Sequence, residues 1–149
     1  MRFKVRDQRG FTLTELVISL AVIGVLASAF IATRAIILSS QISNAVAGVG
    51  ALRDAANQYL MTQVNRRYSG ISMAVLDSQR LVPSTMINAD ANPWGGSYAI
   101  SEINGGNDFR VVLTNVPDAA GPRIVSSLTN HAVGSYDVGT RVLTLDFTR

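Results

Sequence analysis

The sequence predicts an α+β protein: a long N-terminal α-helix, half membrane anchor and half amphipathic, packed on a small and mostly antiparallel β-sheet. Three observations carry that expectation. An apolar run extends from Phe11 to Leu38, with no charge between Leu16 and Thr33. A helical apolar pattern then continues to Val64, with no proline before Pro83. Short alternating stretches separated by Gly, Asn and Asp turns fill the C-terminal part. The organisation is therefore a leader peptide over 1–10, a transmembrane helix over 11–38, and a globular head over 39–149 that includes the amphipathic half of the helix.

The leader carries Arg2, Lys4, Arg6 and Arg9 against Asp7. Cations clustered just before an apolar run hold that end in the cytoplasm and send the remainder across. The 18 residues Leu16–Thr33 include only Ser19, Ser28 and Thr33 as polar positions. As a helix they rise roughly 27 Å, close to the hydrocarbon thickness of a bilayer. Glu15, at the start of this segment, is the exception. An ionisable group inside a spanning helix is costly and normally has a partner or a task. The alternative is a glutamate resting at headgroup depth.

Beyond Arg34, residues Ile42, Val46, Val49, Ala56, Tyr59, Leu60 and Val64 recur at mostly three- and four-residue intervals, with Asn44, Arg53, Asp54 and Asn57 on other faces. This extends the helix from about Thr12 to Asn65. Gly48 and Gly50 weaken it by roughly 1 kcal/mol each relative to alanine. They mark either close helix–sheet packing or a place where the helix can loosen. Ser72 can cap a short helix through Arg80, with Met73, Leu76 and Leu81 inward and Pro83 ending it. Asn92-Pro93-Trp94-Gly95-Gly96 is a turn. A strand over Ser97–Ile103, a turn over Asn104–Asp108 and a returning strand over Phe109–Asn115 make a hairpin. Asp118–Leu128 reads as a short helix begun by Asp118 or by Pro122. In the last strand Leu143, Leu145 and Phe147 face the core and Thr144, Asp146 and Thr148 face out.

Composition narrows the function classes. Net charge is +3, but after the leader nine arginines face nine acids. That neutrality argues against a nucleic-acid electrostatic footprint and suits subunits packing side by side. The chain has no cysteine, so the head must be stable through packing and hydrogen bonds. His131 is its only histidine and sits in the polar stretch Thr129-Asn130-His131, which fits a surface residue better than a metal ligand or a triad member. Arg66-Arg67 reads as a solvated pair. Trp94 fits an aromatic anchoring its turn against the core, or a contact for carbohydrate or a partner. No enzyme, cofactor or metal site is expected.

Gly10-Phe11-Thr12-Leu13-Thr14-Glu15-Leu16, with Gly24 further along the apolar run, resembles the class III signal of type IV pilins and pseudopilins. The resemblance implies the pilin fold, cleavage between Gly10 and Phe11 by a prepilin peptidase, N-methylation of the new Phe11 amine, and a role for Glu15 in subunit assembly. It also implies a bacterial inner-membrane precursor, with its N-terminus cytoplasmic, that the pilus assembly machinery moves into a homo-oligomeric helical filament. Such a filament is an extracellular pilus, serving for example cell adhesion, or a periplasmic pseudopilus of secretion. A minor pilin or type II secretion pseudopilin is the alternative role. Ala32 stands where many type IVa pilins have a kinking proline. The order of elements is similar to type IVb pilins, with Gly121 and Pro122 where those carry the first disulfide cysteine. The Pro93-Trp94-Gly95 turn resembles that of the major pseudopilins, without their acidic calcium loop.

Overall fold

The computed structural model describes residues 11–149, with backbone alone for residues 31 and 32. Helix α1 (Leu13–Thr62) is followed by α2 (Met73–Ser78), β1 (Tyr98–Ile103), β2 (Asp108–Leu113), α3 (Gly121–Leu128), β3 (Val133–Asp137) and β4 (Val142–Phe147). One antiparallel sheet has the order β1-β2-β4-β3. The α+β class expected from the pattern is the class observed. Chain contacts separate a unit ending at Ile37 from a second unit, Leu38–Arg149.

In the second unit the α1 stripe Ala45, Val49, Leu52, Ala55, Ala56, Tyr59 and Leu60 is buried. Its spacing follows one face of a helix, and fully burying Val49 or Leu52 is worth roughly 1.5–3 kcal/mol each. Three alanines in the stripe let the helix approach its neighbours closely. Gly48 goes further: a Cβ there would meet the Tyr98 hydroxyl at 2.5 Å, whereas one at Gly50 would meet nothing within 4 Å. Of the two readings of these glycines, close packing accounts for Gly48 and leaves Gly50 without a packing reason.

The helix ends at Thr62, whose hydroxyl donates to the Tyr59 carbonyl at 2.7 Å. The sequence pattern runs three residues too far: Val64, expected to face inward, is 99% exposed. An apolar residue in register with a stripe extends a periodic signal even where no core remains beneath it. Ser72 caps α2 by accepting from the Val75 amide at 3.3 Å, and Leu76 is fully buried below it.

The sheet presents Ile100, Phe109, Val111, Leu113, Leu143, Leu145 and Phe147 to the core. Register aligns Val111 with Ile100 on one side and Leu145 on the other. Phe109 stacks on Phe147 with ring centroids 4.8 Å apart. On the opposite face Arg110 forks onto Asp146 at 2.6 and 2.8 Å, a cross-strand pair that holds the Asp146 carboxyl below the ordinary aspartate range.

One feature departs from expectation, and one open alternative is decided. Strand β3 was not foreseen, because Val133-Gly134-Ser135-Tyr136-Asp137 is small and polar and its alternate residues are exposed. Helix α3 begins at Gly121 with Pro122 in its first turn, so of the two proposed starts Pro122 is the one used. Asp118 Oδ1, at 2.7 Å, and the Val116 carbonyl, at 2.8 Å, instead share the single proton of the Tyr136 hydroxyl. Tyr136 also lies directly over Gly121, so it joins the edge strand to the start of α3.

Candidate functional site

The residues singled out by the sequence lie at the start of α1. Gly10 is outside the described residues. Phe11 is 83% exposed. Thr12 takes the N-cap position, and its hydroxyl accepts from the Glu15 amide at 3.3 Å. Glu15 reaches back, so that its Oε2 accepts from the Thr12 amide at 2.9 Å and from the Thr12 hydroxyl at 2.9 Å. This reciprocal arrangement is a capping box, which satisfies amides that a helix start leaves unpaired. Its signature, Thr-x-x-Glu before an apolar run, stands in the sequence at Thr12–Glu15. Both hydrogen bonds fall on one oxygen. Glu15 Oε1 accepts none from any described residue.

The apolar run that follows has no cover within its own unit. Leu13 is 80% exposed and Val25 68%, and Leu16, Val17, Ile18, Leu20 and Leu26 are also exposed. Its three polar side chains are internally paired. Ser19 donates to the Glu15 carbonyl at 2.7 Å, Ser28 to the Val25 carbonyl at 2.8 Å and Thr33 to the Ala29 carbonyl at 2.9 Å. Each hydroxyl bonds to the preceding turn, so the segment presents no unpaired polar side-chain donor to an apolar surrounding. By length and composition the helix can cross a membrane. At the far end the Arg34 guanidinium lies 4.7 Å from the Phe30 ring centroid, a cation–π contact that covers part of the charge.

The other candidates fall elsewhere. Trp94 is partly buried against the core, and its Nε1 donates to Gln41 Oε1 at 3.1 Å while Gln41 Nε2 donates to the Pro93 carbonyl at 3.2 Å. The turn is thereby fastened to α1, which is the anchoring role. Asn92 completes it, accepting from the Trp94 and Gly96 amides and donating to the Thr114 carbonyl. A Cβ at Gly96 would run into that carbonyl, so only glycine fits. His131 is exposed. Among the described residues no three His, Cys, Asp or Glu side chains gather in a way that could hold a metal ion.

Comparison with known families gives two matches. Residues 5–31 match the prokaryotic N-terminal methylation motif, and residues 39–145 match the PilS N terminal family. No curated protein and no solved structure matches the chain.

Proposed function

Because this chain belongs to the type IV pilin family, we propose that it is a structural filament subunit, cut by prepilin peptidase between Gly10 and Phe11 and N-methylated on Phe11. The observation that carries this reading is an uncovered apolar helix with one acid, Glu15, set in its first turn. Such a helix is stable in lipid or against other helices of its kind, and in water it is neither.

The charge at its tip decides how copies pack. Cleavage after Gly10 would leave an ammonium group on Phe11, beside a helix terminus that is already partly positive. Moving Glu15 from the membrane surface into a bundle without a counter-charge would oppose every docking step. An ammonium of a neighbouring copy removes that obstacle, and Glu15 Oε1 is the oxygen left open for it, since Oε2 is engaged by Thr12. The contact joins unlike parts of two copies, so it does not close on itself and repeats into an open helix. Axial register is then set by one ion pair per step.

The test is Glu15→Ala in cells that carry the assembly machinery. The expected result is a processed membrane protein with few or no filaments; normal filament yield would remove the assembly role of Glu15. A second reading, a minor pilin or a type II secretion pseudopilin, draws on the Pro93-Trp94-Gly95 turn tied to Gln41. Its measure is abundance. A major pilin dominates sheared filaments, and a minor component does not.

A further inference from the structure

We propose that Arg34 binds a phospholipid phosphate in the leaflet farther from the leader, and that this contact fixes the depth at which α1 sits in a bilayer. The inference rests on the membrane-spanning reading of α1 and not on polymerisation. Arg34 is the first charged residue after Glu15. The helical rise between the two is roughly 28 Å, which matches a hydrocarbon core of about 30 Å. With Glu15 at one surface, Arg34 therefore reaches the other. A shift of the helix in either direction draws one of the two charges into hydrocarbon, where an ionised side chain is costly.

Apolarity alone would not set that depth. Ala35, Ile36, Ile37 and Leu38 continue the apolar run beyond Arg34, and Ile36 is 70% and Ile37 51% exposed. From Leu16 to Leu38 an α-helix rises roughly 34 Å, more than the hydrocarbon core needs. With a neutral residue at position 34 the same helix would sink about one turn deeper, and the guanidinium is what stops it. Among the described residues that guanidinium has no hydrogen-bond or ion-pair partner, the one ion pair being Arg110–Asp146. The neighbouring hydroxyls of Ser28 and Thr33 are spent on carbonyls of α1 itself. Five N–H donors in a planar fork fit a phosphate through two parallel hydrogen bonds. Phe30, one turn nearer the bilayer centre and 60% exposed, places its ring centroid 4.7 Å from the guanidinium carbon. It covers the cation on the side that faces hydrocarbon, as an aromatic at interfacial depth can, and leaves the donors an anion at headgroup level. Every phospholipid carries such an anion there, a phosphate diester that only accepts.

The full chain in phosphatidylglycerol nanodiscs supplies the test. Solid-state NMR recoupling between arginine side-chain nitrogen and lipid phosphorus should show a contact within about 4 Å, as a hydrogen bond to a phosphate oxygen requires. That contact should be lost in Arg34→Gln. Nanodiscs of an uncharged diglucosyl diacylglycerol, with inorganic phosphate in the buffer, should show none; an Arg34-dependent contact there would assign the site to dissolved phosphate and overturn the lipid assignment. Depth is read separately, because the chain has no cysteine and a single introduced one reports its own surroundings. Ile36→Cys should react with a water-soluble maleimide, and at least threefold more slowly when combined with Arg34→Gln. Val25→Cys should stay protected in both backgrounds. No contact with lipid phosphorus, or unchanged reactivity of Ile36→Cys, would overturn the proposal while a protected Val25→Cys leaves the spanning reading standing. A reactive Val25→Cys would sink both.

Discussion

Glu15 has two roles that a single substitution to alanine cannot separate: it closes the capping box with Thr12 and it supplies the only negative charge of its segment. Glutamine closes the same box, because its amide oxygen also accepts from the N-cap amide. Glu15→Gln is therefore expected to keep the helix start and lose assembly, giving a processed protein and a filament yield at least tenfold lower by electron microscopy of sheared fractions. Filaments at normal yield would mean that the cap, and not the charge, is what assembly needs. Tyr136 is the second residue whose role is separable. Partial burial and its hydrogen bond to Asp118 push its pKa up to about 12 from 10.0. The folded state therefore keeps a proton that the unfolded chain gives up at lower pH. Stability from this group is complete below about pH 10 and is lost as pH rises toward 12. Tyr136→Phe should flatten the decline of thermal midpoint between those pH values, and an unchanged slope would show that Tyr136 does not cause it.

At the level of elements, the two glycines of α1 make opposite predictions. Gly50→Ala meets open space and replaces a poor helix residue with the best one, for a gain of roughly 0.5–1 kcal/mol. Gly48→Ala gains the same propensity but drives a methyl into the buried Tyr98 ring, and strain from overpacking is typically about 1–3 kcal/mol. Thermal melts of the full chain in detergent should show the first variant above the parent by a few degrees and the second below it; the reverse order would contradict the close approach of α1 and β1. The same elements show what was legible from residues alone. The helix, the hairpin and β4 follow from periodicity, since Leu143, Leu145 and Phe147 alternate cleanly. Strand β3 was hidden because its place is earned by neighbours: Tyr136 over Gly121 and Gly134 beneath Val125 and Leu145. Long-range contacts of that kind leave no local pattern.

For the whole molecule, two kinds of surface follow from one chain. The head buries most of its apolar residues in its own core, while the first unit leaves Leu16, Val17, Leu20 and Leu26 exposed along a helix whose Ser19, Ser28 and Thr33 hydroxyls bond to the preceding turn. The proposed polymer would use that contrast, because subunits would stay in a bilayer until a bundle offered an equivalent apolar surrounding. This division is readable from the charge-free run and from Glu15, and the box holding Glu15 also has its signature in Thr12-Leu13-Thr14-Glu15, while the single oxygen that takes both of its hydrogen bonds needs the geometry. The central claim, that Phe11 and Glu15 of different copies set the register, is tested most directly by a cryo-electron microscopy structure of the sheared filament. The account predicts a chain that begins at Phe11, with its amine within hydrogen-bonding distance of Glu15 on an adjacent copy. A chain that retains Gly10, or a filament whose Glu15 carboxylates all lie away from any neighbouring amine, would contradict it.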